Sequence, residues 1–397
     1  MATESRFPFL VKKIISPIQG FIRNSRATGI VLIACTVLSL VMSNVHSGGA
    51  YAGFWETELP LSFGSVGLPH SLLHFINDAL MAGFFLLAGM EIKREICAGE
   101  LSSFQKSALP VFAAIGGMLF PAGIYLLWNV HSGFAHGWGV PMATDIAFSL
   151  GVLSLLGTRA PFALKVLLTA LAIIDDLGSI LAIALFYTDH VSGAYLAASG
   201  GVFLLLLVMN RSGVRQPFFY IAAGLVLWYC MYHSGVHATL AGVLLAFTIP
   251  LEKIPAWEHW LHTPVNFIIL PLFALANTAI PFPPGVVMLL ADPVSYGIFF
   301  GLLAGKPLGI FFISFITVRC RLARLPEGIS WRHIAGMGMM AGIGFTMSVF
   351  ISTLAFGDKD SQMLAKLAVL LASLAAGLAG YFYLWLAGKT RISGVSS

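Results

Sequence analysis

The sequence is 397 residues long; 58% of its residues are hydrophobic and only 10% are Asp, Glu, Lys or Arg. Soluble domains average roughly 45–50% apolar and about 25% charged residues, so this composition excludes a soluble globular protein. The formal net charge of +5 is spread between apolar segments. This distribution argues against a nucleic-acid partner, which would need the positive residues gathered in one patch or stripe.

Long apolar stretches recur along the whole chain. A membrane-crossing helix needs about 20 mostly apolar residues, because the hydrocarbon core is roughly 30 Å thick and a helix rises about 1.5 Å per residue. The sequence therefore predicts an all-α membrane protein with about twelve transmembrane helices. In chain order the predicted spans are 27–44, 71–90, 107–128, 140–157, 166–187, 193–209, 217–232, 235–250, 264–281, 296–318, 334–356 and 363–387.

The connections between spans are too short for a soluble domain, so we expect one transmembrane domain at 27–387. A basic segment at 1–26 precedes it, and a tail at 388–397 follows. Of the 22 Lys and Arg residues, 19 lie at the chain ends or in connections after even-numbered spans. By the positive-inside rule, this asymmetry predicts a multi-pass protein with both termini cytoplasmic.

The fourth and eleventh spans contain residues that interrupt helices. The fourth begins with GWGVP, which ends at Pro141, and the eleventh contains Gly342 and Gly344 followed by Thr346. Backbone groups freed at membrane depth are tolerated only where they face protein or a water-filled cavity. Two interrupted spans in comparable positions predict inverted-topology repeats with a binding site between them. Close helix packing by glycine is the alternative interpretation.

Four aspartates fall within predicted spans: Asp78, Asp145, Asp175 and Asp176. A charge at the bilayer centre costs at least about 2.5–3.5 kcal/mol, so each one is a functional hypothesis. Neighbouring residues on a helix point about 100° apart, and Asp175 and Asp176 therefore cannot both face one ligand.

The lysine at comparable depth, Lys306, is predicted to pair with one of these aspartates. A cation would bind the other aspartate together with Asp145 and the Thr144 hydroxyl, because these oxygens suit small hard cations. Carboxylates crowded in a poorly solvated site hold protons until a metal ion or a higher pH displaces them. This competition predicts a cation transporter coupled to protons. An inert ion-pair cluster that only fixes helix packing remains the alternative.

Further titratable residues crowd at predicted cytoplasmic ends. Glu91, Lys93 and Glu95 lie at the end of the second span, and Glu258 and His262 lie in the connection before the ninth. Because histidine titrates near physiological pH, these five residues are candidate pH sensors. A solvated loop would have the same composition.

Other classes of membrane protein fit less well. An intramembrane aspartyl protease would carry a GxGD-type sequence and a membrane zinc protease HExxH, and both motifs are absent. A carrier for an organic anion should present positive charge to its substrate, whereas here four acids face one lysine. A passive channel would not need carboxylates that compete for protons. We therefore expect a transporter that is not an enzyme and has no cofactor.

At these residues the chain resembles the NhaA family of bacterial sodium/proton antiporters. The segments that carry the resemblance are NDALMAGFFLLAGMEIKRE, MATDIAFSLGVLSLLG, ALAIIDDLGSI, SGVHATLAGV, LFALANTAI, GKPLGI and GIGFTMSVF. ATDIA, AIIDDLG and GIGFTMS occur in this order, each in its own predicted span, which makes the signal specific.

The resemblance implies roles for individual residues. Asp176 would be the principal ligand of sodium or lithium, with Asp145 and Thr144 beside it. Asp175 would be the partner of Lys306. The fourth and eleventh spans would be unwound and would cross at mid-membrane.

The resemblance also implies the activity and setting of the protein. It implies electrogenic exchange of cytoplasmic sodium or lithium for more than one incoming proton, active at alkaline pH, for sodium and pH homeostasis. The protein would be a homodimer in the lipid of the bacterial inner membrane, with its dimer hairpin near residues 59–68. The long basic leader and a connection at 251–263 that carries only Lys253 depart from the family pattern, which leaves the pH set point open.

Overall fold

A computed structural model describes residues 27–45, 48–58, 69–188, 191–282, 285 and 291–387. The basic segment at 1–26, the tail at 388–397 and the predicted dimer hairpin near 59–68 lie outside the described residues. Within the described ranges the regular elements are helices, and the one β-type contact is an isolated bridge between Glu58 and Ser71.

Fourteen α-helical segments are numbered here in chain order. They are α1 Ala27–Asn44, α2 Gly48–Trp55, α3 Leu72–Ala98, α4 Phe104–Asn129, α5 Ile146–Leu155, α6 Phe162–Phe186, α7 Gly193–Arg211, α8 Pro217–Ser234, α9 Leu240–Thr248, α10 Leu251–Asn277, α11 Pro293–Arg319, α12 Trp331–Ala341, α13 Phe345–Ala355 and α14 Lys359–Ala387. A 3₁₀ helix, Ala135–Met142, precedes α5. Single π-helical turns interrupt α3, α10 and α11 at Phe75–Leu80, Val265–Ile269 and Gly301–Gly305.

The helices of the described ranges are long and apolar enough for nine membrane crossings, or ten if α12 and α13 form one crossing. The segment Ala135–Leu155, which joins the 3₁₀ helix to α5, counts as one of the nine. The 18 residues of α8 and the 9 residues of α9 are not among them. The prediction of an all-helical membrane protein is confirmed, whereas the number twelve stays a prediction.

Two predicted boundaries are wrong for local reasons. The span predicted at 235–250 becomes helical only at Leu240. Gly235 adopts φ of +85°, and the chain turns between this glycine and Leu240. The connection predicted before the ninth span is helical from Leu251. Ile254, Trp257 and Leu261 recur there at helical spacing, and all three are buried. Glu258 and His262 therefore lie on a packed helix and not in a solvated loop.

Helices α4 and α11 cross at a contact between two glycines. A Cβ built on Gly116 would collide with the carbonyl oxygen of Gly309, and one built on Gly309 would collide with that of Gly116. Small residues at such crossings let two backbones approach closely, which is a common device in membranes. The crossing lies three residues after Lys306, so it positions that lysine in the protein interior.

Candidate functional site

Two interruptions of the helical chain lie against each other. The first runs through Ala143, whose backbone is extended between the 3₁₀ helix and α5, and the second separates α12 from α13, whose axes bend by 47°. The backbone N–H of Asp145 donates to the carbonyl oxygen of Ile343 over 2.7 Å. The Thr144 hydroxyl lies 2.9 Å from the carbonyl oxygen of Ala341. Each interruption thus satisfies backbone groups that the other leaves free.

The residues predicted to break these helices lie at or beside the interruptions. Pro141 is in the 3₁₀ helix, and Gly342 caps the C-terminus of α12. A Cβ on Gly344 would lie 3.1 Å from the carbonyl oxygen of Ala143, so glycine permits the close approach of the two segments. Thr346 was predicted with these residues as part of the helix break, but it lies in the first turn of α13 and makes side-chain contacts of its own.

Asp145 is held by the starts of two helices. It caps the N-terminus of α5, where its Oδ1 accepts the backbone N–H of Phe148 over 2.9 Å. Its Oδ2 accepts the backbone N–H of Thr346 over 3.1 Å and the Thr346 hydroxyl over 2.5 Å. Helix N-termini carry partial positive charge and favour a carboxylate. This role of Thr346 was not predicted from the sequence. The available signal was its place just after a helix-breaking glycine, where the start of a new helix leaves backbone donors unsatisfied.

Asp175 and Lys306 form an ion pair that is fully buried. The Lys306 Nζ lies 2.7 Å from the Asp175 Oδ2, and neither side chain is exposed. The ammonium also donates to the carbonyl oxygen of Met142, which the interruption has freed. The Thr144 hydroxyl lies 2.7 Å from the same Asp175 oxygen. Since a hydroxyl has one proton and two lone pairs, Thr144 donates to either the Asp175 carboxylate or the Ala341 carbonyl at one time, and it can still offer a lone pair to a cation.

Asp176 faces away from this pair, into a cavity of about 50 Å³. Asp145, Thr144 and Thr346 line the same cavity. Within the described part of the chain, one carboxylate oxygen of Asp176 is buried without a hydrogen-bond partner. A buried water molecule needs roughly 10–15 Å³ of such volume, so the cavity has room for a monatomic ion that keeps part of its hydration shell.

The cavity is therefore rich in oxygen ligands and poor in positive charge. Lys306 compensates Asp175, which leaves Asp145 and Asp176 without a cationic side chain as an ion-pair partner among the described residues. No group of three or more His, Cys, Asp or Glu side chains in the described ranges is arranged to hold a metal ion. A cation here would rely on two carboxylates plus neutral hydroxyl or backbone oxygens, a ligand set suited to a hard ion that binds and leaves.

The candidate pH sensors at the cytoplasmic ends are brought partly together. Glu258 accepts a hydrogen bond from Arg94, and a second guanidinium nitrogen of Arg94 lies 3.6 Å from Glu95. Arg94 was not among the predicted pH sensors, although it joins two of them. The side chain of Glu258 is only 10% exposed, and its other carboxylate oxygen is buried without a partner among the described residues.

The remaining candidates divide between two places. Lys93 donates to the carbonyl oxygens of Phe247 and Ile249, over 2.8 and 2.5 Å, and so caps the C-terminal end of α9 instead of pairing with a carboxylate. Glu91 and His262 line the cavity that also contains Asp176. One continuous cavity thus joins two candidate sensors to the candidate ion site.

The chain is similar in sequence to known proteins. The family profile described as Na⁺/H⁺ antiporter 1 matches residues 19–384. The Na⁺/H⁺ antiporter NhaA 2 of Flavobacterium johnsoniae is 50% identical over 376 residues, which are 92% of this chain and 91% of that protein. The NhaA antiporter of Dechloromonas aromatica is 50% identical over 94% of this chain and 96% of its own length. That of Cytophaga hutchinsonii is 46% identical over 96% and 98%.

Proposed function

The chain belongs to the Na⁺/H⁺ antiporter NhaA family, and on this premise we propose that it exports cytoplasmic sodium or lithium in electrogenic exchange for incoming protons. Exchange is active at alkaline pH and serves sodium and pH homeostasis. The observation that carries the proposal is the pair of carboxylates, Asp145 and Asp176, that line one small cavity with the Thr144 and Thr346 hydroxyls.

Competition for these carboxylates supplies the exchange. When Asp176 and Asp145 are ionised, their oxygens and the Thr144 hydroxyl bind sodium or lithium. When the site opens to the other face, protons neutralise the carboxylates and the ion leaves. Because two carboxylates take up protons where one monovalent ion was bound, net charge moves in each cycle.

Lys306 has a structural role in this scheme. Its ion pair with Asp175 keeps the ammonium charged, since removing its proton would leave a buried carboxylate uncompensated. The charge also offsets the freed carbonyl group of Met142. A role as carrier of a transported proton is the alternative that the Lys306→Arg variant, described below, distinguishes.

The wider architecture follows the family pattern. We take α8 and α9 as two further crossings, which brings the total to twelve, with the fourth and eleventh interrupted and the two halves related as inverted repeats. Both termini are cytoplasmic, as the 19 basic residues on one side favour. The protein is a homodimer in the lipid of the bacterial inner membrane.

Sensing of pH is assigned to the cytoplasmic end of the cavity. Glu91 and His262 line it beside the ion site, and Arg94 links Glu258 to Glu95 at the adjoining helix ends. Protonation at these groups changes the charge that sodium meets on its way to Asp176. This shared cavity supports regulation of access by pH.

The test is Asp176→Asn, which removes the charge of the principal ligand and keeps its size. Sodium-induced dequenching of a pH-sensitive dye in everted membrane vesicles should disappear, while the amount of protein in the membrane stays unchanged. The matched control is Asp360→Asn, the same substitution at an exposed position at the start of α14, which should exchange normally. Near-normal exchange by the Asp176→Asn variant would show that the ion binds elsewhere.

A further inference from the structure

Another lysine is buried in a helix long enough and apolar enough to cross a membrane, apart from the site described above. Lys366 in α14 is 8% exposed, and its Nζ lies 3.4 Å from the Asn277 Oδ1. Among the described residues, no carboxylate lies within ion-pair distance of Lys366. Lys306, in contrast, contacts Asp175 directly. An ionisable side chain inside a membrane protein marks a function by default, and the exchange mechanism above does not use Lys366.

The partner of Lys366 belongs to a pair of amides that bridge two helices. Asn277 is the last residue of α10, and its Nδ2 donates to the Asn77 Oδ1 over 2.8 Å. In return, the Asn77 Nδ2 lies 3.4 Å from the Asn277 Oδ1. Asn77 lies in the π-helical turn of α3. Asn77, Asn277 and Lys366, here called the outer amide cluster, thus connect α3, α10 and α14.

Along the helices that carry them, three aromatic residues come between the outer amide cluster and the residues that line the ion cavity. Phe85, Phe273 and Phe350 are each at most 1% exposed. The Phe350 ring centroid lies 5.4 Å from that of Phe85 and 6.4 Å from that of Phe273. Phe273 comes one turn after Leu270, and Phe350 one turn after Thr346, both of which line the cavity. The cavity reaches Glu91 near the proposed cytoplasmic face, so the cluster lies on the periplasmic side of the rings.

The cluster has the chemistry of a weak site for a monovalent cation. Amide oxygens are hard ligands for such ions, and a tethered ammonium now lies beside one of them. We propose that the outer amide cluster is a second, transient site for the transported cation, and that the Lys366 ammonium occupies it while the ion site faces the cytoplasm. A departing ion displaces the ammonium from Asn277. When the ammonium returns to Asn277, it hinders re-entry of sodium from the periplasm. This inference rests on the proposed sodium/proton exchange and its orientation.

The experiment varies sodium on the periplasmic face alone. Everted vesicles are loaded with graded sodium chloride, with choline chloride to keep the ionic strength constant, and exchange is started by a fixed sodium concentration outside. Lys366→Gln removes the tethered charge but keeps a hydrogen-bond donor for Asn277. Because a hydrogen bond from a charged group is worth roughly tenfold or more in a binding constant, lumenal sodium should inhibit this variant at roughly tenfold lower concentration than the parent. Lys366→Arg, which keeps the charge, should behave like the parent.

A second variant should shift the inhibitory concentration of lumenal sodium in the opposite direction. Its result does not depend on whether the first variant folds. Asn77→Leu removes an amide ligand at similar size, so lumenal sodium should inhibit it only at higher concentration than the parent. The proposal is overturned if both variants respond to lumenal sodium as the parent does, or if each changes the sodium dependence equally from both faces, which would indicate a packing role. A parent protein without any sodium-dependent proton movement would instead contradict the proposed function.

Discussion

The buried ion pair between Lys306 and Asp175 makes a quantitative prediction about stability. Lys306→Gln removes the ammonium and leaves the Asp175 carboxylate, whose side chain is not exposed at all, without its 2.7 Å partner. Removing one member of a fully buried pair costs about 3–5 kcal/mol, because the remaining charge is uncompensated. Asp175→Asn leaves the ammonium in the same position, and we expect a similar loss in the free energy of unfolding.

The double variant Lys306→Gln, Asp175→Asn replaces both charges by amides that can hydrogen-bond to each other. Its free energy of unfolding should lie well above the value expected from adding the two single losses, and the coupling should amount to about 3 kcal/mol or more. The measurement is unfolding of the purified protein in mixed micelles of increasing denaturing-detergent content, followed by circular dichroism. Membrane content of each variant is measured in parallel.

The chain offers a matched control for the lysine substitution. Lys359 forms an ion pair with Glu56 of the same 2.7 Å length, but the two side chains are 81% and 56% exposed. Because water screens such a pair, Lys359→Gln should leave the free energy of unfolding almost unchanged. If Lys306→Gln is as harmless as Lys359→Gln, or if the losses from the two buried substitutions simply add, the two buried charges do not stabilise each other.

Three further outcomes follow from the structure. Lys306→Arg keeps the positive charge at every working pH, so the charge translocated per sodium in proteoliposomes should equal that of the parent; electroneutral exchange would show that the lysine carries a transported proton. Gly309→Ala should lower the free energy of unfolding by about 1–3 kcal/mol through overpacking against α4, whereas Gly123→Ala, with no atom near its Cβ position, should not lower it. A reporter fused after Ser397 should be cytoplasmic and one inserted at Asp292 periplasmic, and the reverse result would contradict the assigned orientation.

Some features could be predicted from the sequence because they depend on long windows or on intact motifs. Apolar stretches predicted the helical membrane protein, and three motifs in order predicted the antiporter family, both of which are confirmed. The number of spans is harder to predict from the sequence, because α9 has only 9 residues and begins after a glycine in the left-handed conformation. Window averages do not detect such a turn inside an apolar stretch.

The contacts of individual site residues were harder to predict. The sequence places Asp145 and Thr346 in different spans. The 2.5 Å contact between the Thr346 hydroxyl and the Asp145 carboxylate depends on how α5 and α13 are oriented about their own axes. Lys93 was predicted to belong with nearby acids, yet it caps the carbonyl groups at the end of α9. The carbonyl groups that Lys93 contacts lie more than 150 residues away in the chain. Such partners depend on tertiary packing, and no local sequence pattern encodes them. That the site binds sodium stays a prediction until Asp176→Asn is tested.

The hydrogen bonds between the two interruptions have a mechanical consequence. Asp145 is joined to the second interruption through its backbone N–H and through its carboxylate, which accepts two hydrogen bonds from Thr346. A side-chain rotation that turned the Asp145 carboxylate toward the other membrane face would break the two hydrogen bonds from Thr346, and these buried donors would lose their partner. Changing the face to which the ion site opens is therefore easier if α5 and α13 move together as one rigid body relative to their neighbours. The hinges of that movement would then lie in the connections around the paired helices, and damage to those connections would slow transport without weakening ion binding.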